Sequence, residues 1–397
     1  MKHSYIDNSK PLFIIAVLAV IIFGIFFLIK YSDIYISRSI ALCEKEEATR
    51  QNCYAKLVSD TLEKRGLAKA FDAFALIYDK NPKFADDCHG NTHTLGGAAY
   101  KLFHAGKDVE LTEKTSYCGF GFYHGFLIEL FSEGGTMKEA REFCSYAGTS
   151  LKGKSGDAEG ACYHAMGHGT VDGADSRIWG SVEKIITPGL EICARVADTE
   201  PHRRRCASGT FNSLAIMYKD PKYRLTVNKA DPYLICENLR PDFFKRSCYE
   251  EMNTIVLYIA DFDLKKSLLY IPKIEEETYA ASAVESLSSY GAKVRDRSAR
   301  ETENKKVITN CRVLSGNISL ACIRGYGAGL VEFGTPEREY EESLSFCQNG
   351  DLSDEEKNSC LHRVLFYLAA IYPQKKIASL CGRYVASPYQ ELCKPFN

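Results

Sequence analysis

The sequence predicts an all-α fold: a single N-terminal transmembrane helix followed by disulfide-stapled helical-hairpin repeats in an α/α solenoid-like stack. Three observations predict it. Residues 11–29 (PLFIIAVLAVIIFGIFFLI) carry no charge, all 16 cysteines come after them, and most of those cysteines fall into close, regularly spaced pairs. A chain of 397 residues with 45% hydrophobic content is ample for a buried core. Lys+Arg 50 against Asp+Glu 51 leaves a net charge of −1, which gives no overall field to recruit nucleic acid. No nucleic-acid partner is expected.

As a helix, the apolar run would be about 28 Å long, close to the hydrocarbon thickness of a bilayer. A cleavable signal has a shorter apolar core and small residues just beyond it, whereas here Lys30-Tyr31-Ser32-Asp33 follows. The reading is therefore a cytoplasmic tail (1–10) and an uncleaved signal anchor (11–30). Lys2 and Lys10 before the run balance Lys30 and Arg38 after it, so orientation rests on the cysteines. Their even number, all on one side, places the C-terminal domain on the oxidising side, periplasmic or extracellular.

The pairs Cys43/Cys53, Cys193/Cys206, Cys236/Cys248, Cys311/Cys322, Cys347/Cys360 and Cys381/Cys393 are 10, 13, 12, 11, 13 and 12 positions apart. Such regularity marks an internal repeat. Polar stretches such as ADTEPHRRR and QNGDLSDEEKNS lie between the pair members, and an apolar run of helix length follows the second cysteine. LAIMY ending at Tyr218 and LAAIY ending at Tyr372 stand at the same offset from Cys206 and Cys360, while FALIY ending at Tyr78 has Gly66 in the cysteine slot. Each pair is expected to join the end of one helix, across a loop, to the start of the next. Cys88/Cys118 and Cys144/Cys162 would continue the order at wider spacing.

In architecture this pattern resembles the tetratricopeptide-type α/α repeat proteins whose hairpins are disulfide-linked. The resemblance spans Cys43 to Cys393 with wider cysteine spacing than that pattern. It implies a fold and carries no functional residue.

The repeats divide the chain into a His-rich lobe (31–270), a charged linker (271–308) and a C-terminal lobe (309–397). Within the linker, Val284, Leu287 and Val294 would form one side of a solvated helix, and RDRSARETENKK would be the linker proper. Asn317-Ile318-Ser319 is a glycosylation sequon.

Of nine histidines, five fall within 80 residues: DCHGNTHTLGG (His89, His93), GFYHGFLIEL (His124) and ACYHAMGHGTVDG (His164, His168). Two are H-x3-H pairs, whose members stand about 40° apart on a helix and can bind one metal. Asp172 extends the second row by another i+4 step, and Glu129 is a weaker oxygen candidate, about 140° from His124 around a regular helix. The glycines nearby (Gly90, Gly96, Gly97, Gly121, Gly125, Gly167, Gly169) would let helices approach closely. The expected ligands are His89, His93, His124, His164, His168 and Asp172, for Zn²⁺, Cu²⁺ or Fe. The bland reading is a set of packed histidines in a Gly-rich helix interface. Neither H-E-x-x-H nor C-x-x-C-H occurs, which disfavours a standard zinc protease and excludes covalent haem attachment.

Gly148 to Ser155 (GTSLKGKS) matches the phosphate-loop pattern but lacks the preceding strand that the chemistry needs, and so predicts a long flexible loop between Cys144 and Cys162. His202-Arg203-Arg204-Arg205 reads as solvated charge in an inter-cysteine loop. Two functions compete: an anchored, extracytoplasmic metal protein, or a metal-free scaffold binding a protein or peptide on a concave repeat surface.

Overall fold

The computed structural model describes residues 34–45, 47–172, 176–293 and 299–396, and among them every regular element is helical. After α1 (34–43) come α2 (Arg50–Arg65), α3 (Leu67–Lys80), α4 (Pro82–Asp86), α5 (Cys88–His104), α6 (Tyr117–Ser132), α7 (Met137–Ser150), α8 (Ala158–Asp172), α9 (Val182–Val196) and α10 (Glu200–Met217). Then follow α11 (Leu234–Glu237), α12 (Asp242–Glu251), α13 (Asn253–Ile259), α14 (Leu264–Ser267), α15 (Glu277–Lys293), α16 (Arg300–Cys311), α17 (Gly316–Glu332), α18 (Glu339–Cys347), α19 (Asp354–Ile371) and α20 (Gln374–Tyr384). The predicted tail 1–10 and anchor 11–30 lie outside the described residues. Among the described helices none is long and apolar enough to cross a membrane.

All the cysteines are paired, in the expected order and including Cys88–Cys118 and Cys144–Cys162. This pairing suits an oxidising, extracytoplasmic compartment. The repeat has a sharper register than sequence spacing suggested: Cys206, Cys248, Cys322 and Cys360 are each the seventh residue of their helix. The second cysteine therefore sits nearly two turns inside. Loops of this length should each contribute about 3 kcal/mol through the denatured chain. The Cys347→Ala/Cys360→Ala double variant is accordingly expected to lose about 3 kcal/mol in non-reducing denaturant titration. An unchanged midpoint would refute that contribution.

The stack does not stay open. Successive long helices α5, α6, α8, α10, α12, α15, α17 and α19 pack side by side, and α17 also meets α6. At the closure Tyr117 Oη donates to Glu337 Oε1 at 2.7 Å, Arg338 pairs with Asp79 at 2.6 Å, and Gly156 N–H donates to the Ala370 carbonyl at 2.9 Å. Residues far apart in the chain are thus brought together at these contacts.

Three local expectations change. Segment 277–293 is an interior helix in place of a solvated one: Val284 and Leu287 are completely buried, and the helix packs on α12 and α17; Val294 lies outside the described residues. The GTSLKGKS segment begins as the last turn of α7 and then docks, with Leu151 buried and Ser155 Oγ donating to the Ala370 carbonyl. The arginine cluster belongs to the first turns of α10, where Thr199 caps the N-terminus and Pro201 fits the first turn. There Arg204 pairs with Glu250 at 3.0 Å and Arg205 with Asp157 at 2.6 Å.

Candidate metal centre

Close helix packing builds the site. A Cβ on Gly125 of α6 would overlap the His93 carbonyl of α5, and one on Gly96 of α5 would overlap the Phe122 carbonyl of α6. The relation repeats between Gly209 of α10 and the His164 carbonyl of α8, and between Gly167 and the Cys206 carbonyl. Bare backbones therefore touch at both helix pairs. The histidines project from α5, α6 and α8 where these contacts hold the helices closest.

All five predicted histidines come together, as two triads that share His124. Ligand nitrogens of His89, His93 and His124 lie within 4.8 Å of one another, as do those of His124, His164 and His168. Ring centroids are 4.7 Å apart for His89–His93 and 5.1 Å for His164–His168. Across the middle, His124 is 5.0 Å from both His89 and His93 and 4.4 Å from His168.

The outward nitrogens are held by the protein. His89 Nδ1–H donates to the Cys118 carbonyl at 2.8 Å, which leaves Nε2 with a free lone pair. That carbonyl lies in a left-handed turn, with Cys118 at φ 56°, Gly119 at φ 68° and Phe120 at φ 60°. Such backbone is costly for non-glycine residues and is tolerated where the surroundings enforce it. Ser208 Oγ of α10 donates to Glu251 Oε1 of α12, so it accepts from His164 Nδ1–H at 3.1 Å. Asn212 Nδ2 donates to the other Glu251 oxygen at 2.8 Å. This is a carboxylate–hydroxyl–imidazole chain of the kind that orients metal ligands. His168 Nδ1 is bonded to Ser213 Oγ at 2.7 Å, and His168 Nε2 lies 3.3 Å from His164 Nε2. Among the buried ring nitrogens of the site, His93 Nε2 and His124 Nδ1 have no hydrogen-bond partner.

Burial keeps every ring neutral. It depresses His89 to about 3 and His93 and His168 to about 4, and carries His124 and His164 well below the ordinary range. Mutual repulsion among the rings adds to this at His89, His93, His124 and His164; Lys293 adds at His89 and His93, and Arg205 at His164. Neutral imidazole is the ligating form. Burial also raises Glu251 to about 7, against the hydrogen bonds from Ser208 and Asn212, and it raises Glu332.

The remaining candidates divide. Asp172 is the last residue of α8, and its side chain lies outside what the structure describes. Glu129 turns away to pair with Lys101 at 3.1 Å, which removes it as an oxygen ligand. No thiolate is available, because Cys88 and Cys162 are disulfide-bonded. Sequence reasoning missed Ser208, Asn212, Ser213 and Glu251, whose residue types and spacing carry no metal signature of their own. No family model matches the chain, and no curated protein or solved structure is similar to it.

Proposed function

We propose that this chain is an anchored, extracytoplasmic protein that binds a transition metal, Zn²⁺, Cu²⁺ or Fe, through His89, His93, His124, His164 and His168, with residues 11–29 as its membrane anchor. One observation carries the reading: five neutral imidazoles from three helices converge while the outward nitrogens of His89, His164 and His168 are engaged by the protein. A bland histidine interface would satisfy these rings with hydrogen bonds. It would not leave His93 Nε2 and His124 Nδ1 buried and unpartnered.

The spacing also suits an ion. Two nitrogens each about 2.1 Å from one metal stand roughly 3.0–3.4 Å apart, and His164 Nε2 and His168 Nε2 are 3.3 Å apart. An all-imidazole donor set fits Zn²⁺, Cu²⁺ or Fe better than Mg²⁺ or Ca²⁺. Three protein ligands leave a coordination position for water or a small molecule, the arrangement of a reactive or exchangeable site. Eight disulfides already tie the helices together. A purely structural role for the metal is thereby less favoured than a reactive or carried one.

Elemental analysis of the oxidised protein, beside a His89/His93/His164/His168→Ala variant, tests this. The wild type is expected to retain a transition metal through desalting, and the variant to lose it with helix content preserved by circular dichroism. A wild type that stays metal-free after loading with Zn²⁺, Cu²⁺ and Fe²⁺ refutes the reading.

A further inference from the structure

Resting on that metal reading, we propose that the site holds two ions, one in each triad, joined through His124 with one ring nitrogen to each. The five nitrogens do not form a single mutually close set; they form two sets with one member in common. One ion cannot reach all five without rearranging helices whose backbones are already in contact. Two ions can, if the shared ring serves both.

His124 is placed and left free for that purpose. Its helix, α6, packs against α5 on one side and α8 on the other. Its ring centroid is 5.0 Å from His89 and His93, 5.1 Å from His164 and 4.4 Å from His168, so neither triad owns it. A terminal histidine ligand ordinarily has its second nitrogen tied to a carbonyl, hydroxyl or carboxylate. His89, His164 and His168 follow that rule through Cys118, Ser208 and Ser213. His93 and His124 break it, each with a buried ring nitrogen that has no partner, and of the two only His124 stands in both triads. A bridging ring has no nitrogen left over for a hydrogen bond.

The proton balance is explicit. Neutral imidazole binds the first ion through its lone pair and keeps one N–H. When the second ion arrives, that N–H bond breaks, the proton passes to solvent, and the nitrogen lone pair forms the new metal–nitrogen bond. No oxidant or reductant is required. The bridge places the ions about 6 Å apart, given metal–nitrogen bonds of about 2.0–2.1 Å.

The test is a Cu²⁺ titration of the full-length chain in detergent, read by elemental analysis after desalting and by electron paramagnetic resonance. The expected result is two equivalents with a coupled signal well below that of two isolated Cu²⁺ ions. His89→Ala/His93→Ala and His164→Ala/His168→Ala should each keep one equivalent with a full isolated-ion signal. His124→Ala should abolish the coupling. A wild type that saturates at one equivalent, or that binds two uncoupled ions, overturns the bridge while leaving metal binding intact. A wild type that binds none overturns both, and none of these wild-type results depends on a variant folding.

Discussion

Gly125→Ala and Gly209→Ala are each expected to destabilise the protein by about 3 kcal/mol, against the ordinary effect of such a change in a helix. Alanine normally gains up to about 1 kcal/mol over glycine in a helix interior. Here the added methyl would overlap a backbone carbonyl, that of His93 or His164, and backbone cannot rotate away. The helices must separate. Separation exposes the apolar surface around Phe122, Phe126 and Phe211, all essentially buried. Gly382 in α20 is the control, since a Cβ there meets nothing within 4 Å, and Gly382→Ala should stabilise slightly. Urea unfolding of the three variants gives the comparison. If Gly125→Ala and Gly209→Ala move the midpoint upward as Gly382→Ala does, the close backbone contact is not what holds α5 to α6 and α8 to α10.

Those two glycines also mark how far the sequence could be read. Cysteine spacing announces hairpins because each staple constrains a loop of fixed length, and it extends to the wider Cys88/Cys118 and Cys144/Cys162 pairs. The histidines stood out because two H-x3-H pairs and a third copy are rare among helix-surface patterns, and all five rings do converge. The interior character of α15 was hidden. Beside Tyr279, Val284 and Leu287, its buried faces carry Ala280, Ala281, Ala283, Ser288, Ser289 and Gly291, residues that let helices approach but give little hydrophobic signal. The polar partners of the rings were hidden for another reason. Ser208, Ser213 and Glu251 lie 44, 45 and 43 positions from the groups they bond, so only the tertiary fold pairs them. Closure of the stack at Glu337 and Ala370 likewise joins residues more than 200 positions apart. ADTEPHRRR misled because its polar residues suggested a loop, whereas Thr199 and Pro201 are helix-start residues and arginine is a good helix former.

Acidification of the metal-free chain is expected to cost it stability through its histidines, beyond what its carboxylates lose. The buried histidines have folded pKa values below the ordinary 6.5, with His93 and His168 near 4 and His89 near 3. Above about pH 6.5 the rings are neutral in both states and contribute no pH dependence. As pH falls below that value the unfolded chain takes up protons that the folded chain refuses, and stability falls until the folded rings themselves titrate. Glu250, Glu251, Glu332 and Glu339 oppose this, because burial raises all four, Glu251 and Glu339 to about 7, and the folded state then binds their protons more readily than the unfolded chain does. Against the five rings these four carboxyls offset much of the slope down to about pH 4.5, below which the carboxyl contribution is exhausted while the histidine penalty still grows. The net slope is therefore downward toward acid and steepens near and below about pH 4.5. His168→Gln isolates one ring that is 4% exposed, and it should flatten the slope by about one proton, or about 1.4 kcal/mol per pH unit. Urea midpoints measured from pH 7 to pH 4.5 provide the check. A His168→Gln slope equal to that of the wild type across that range would mean that the ring is not held neutral by burial.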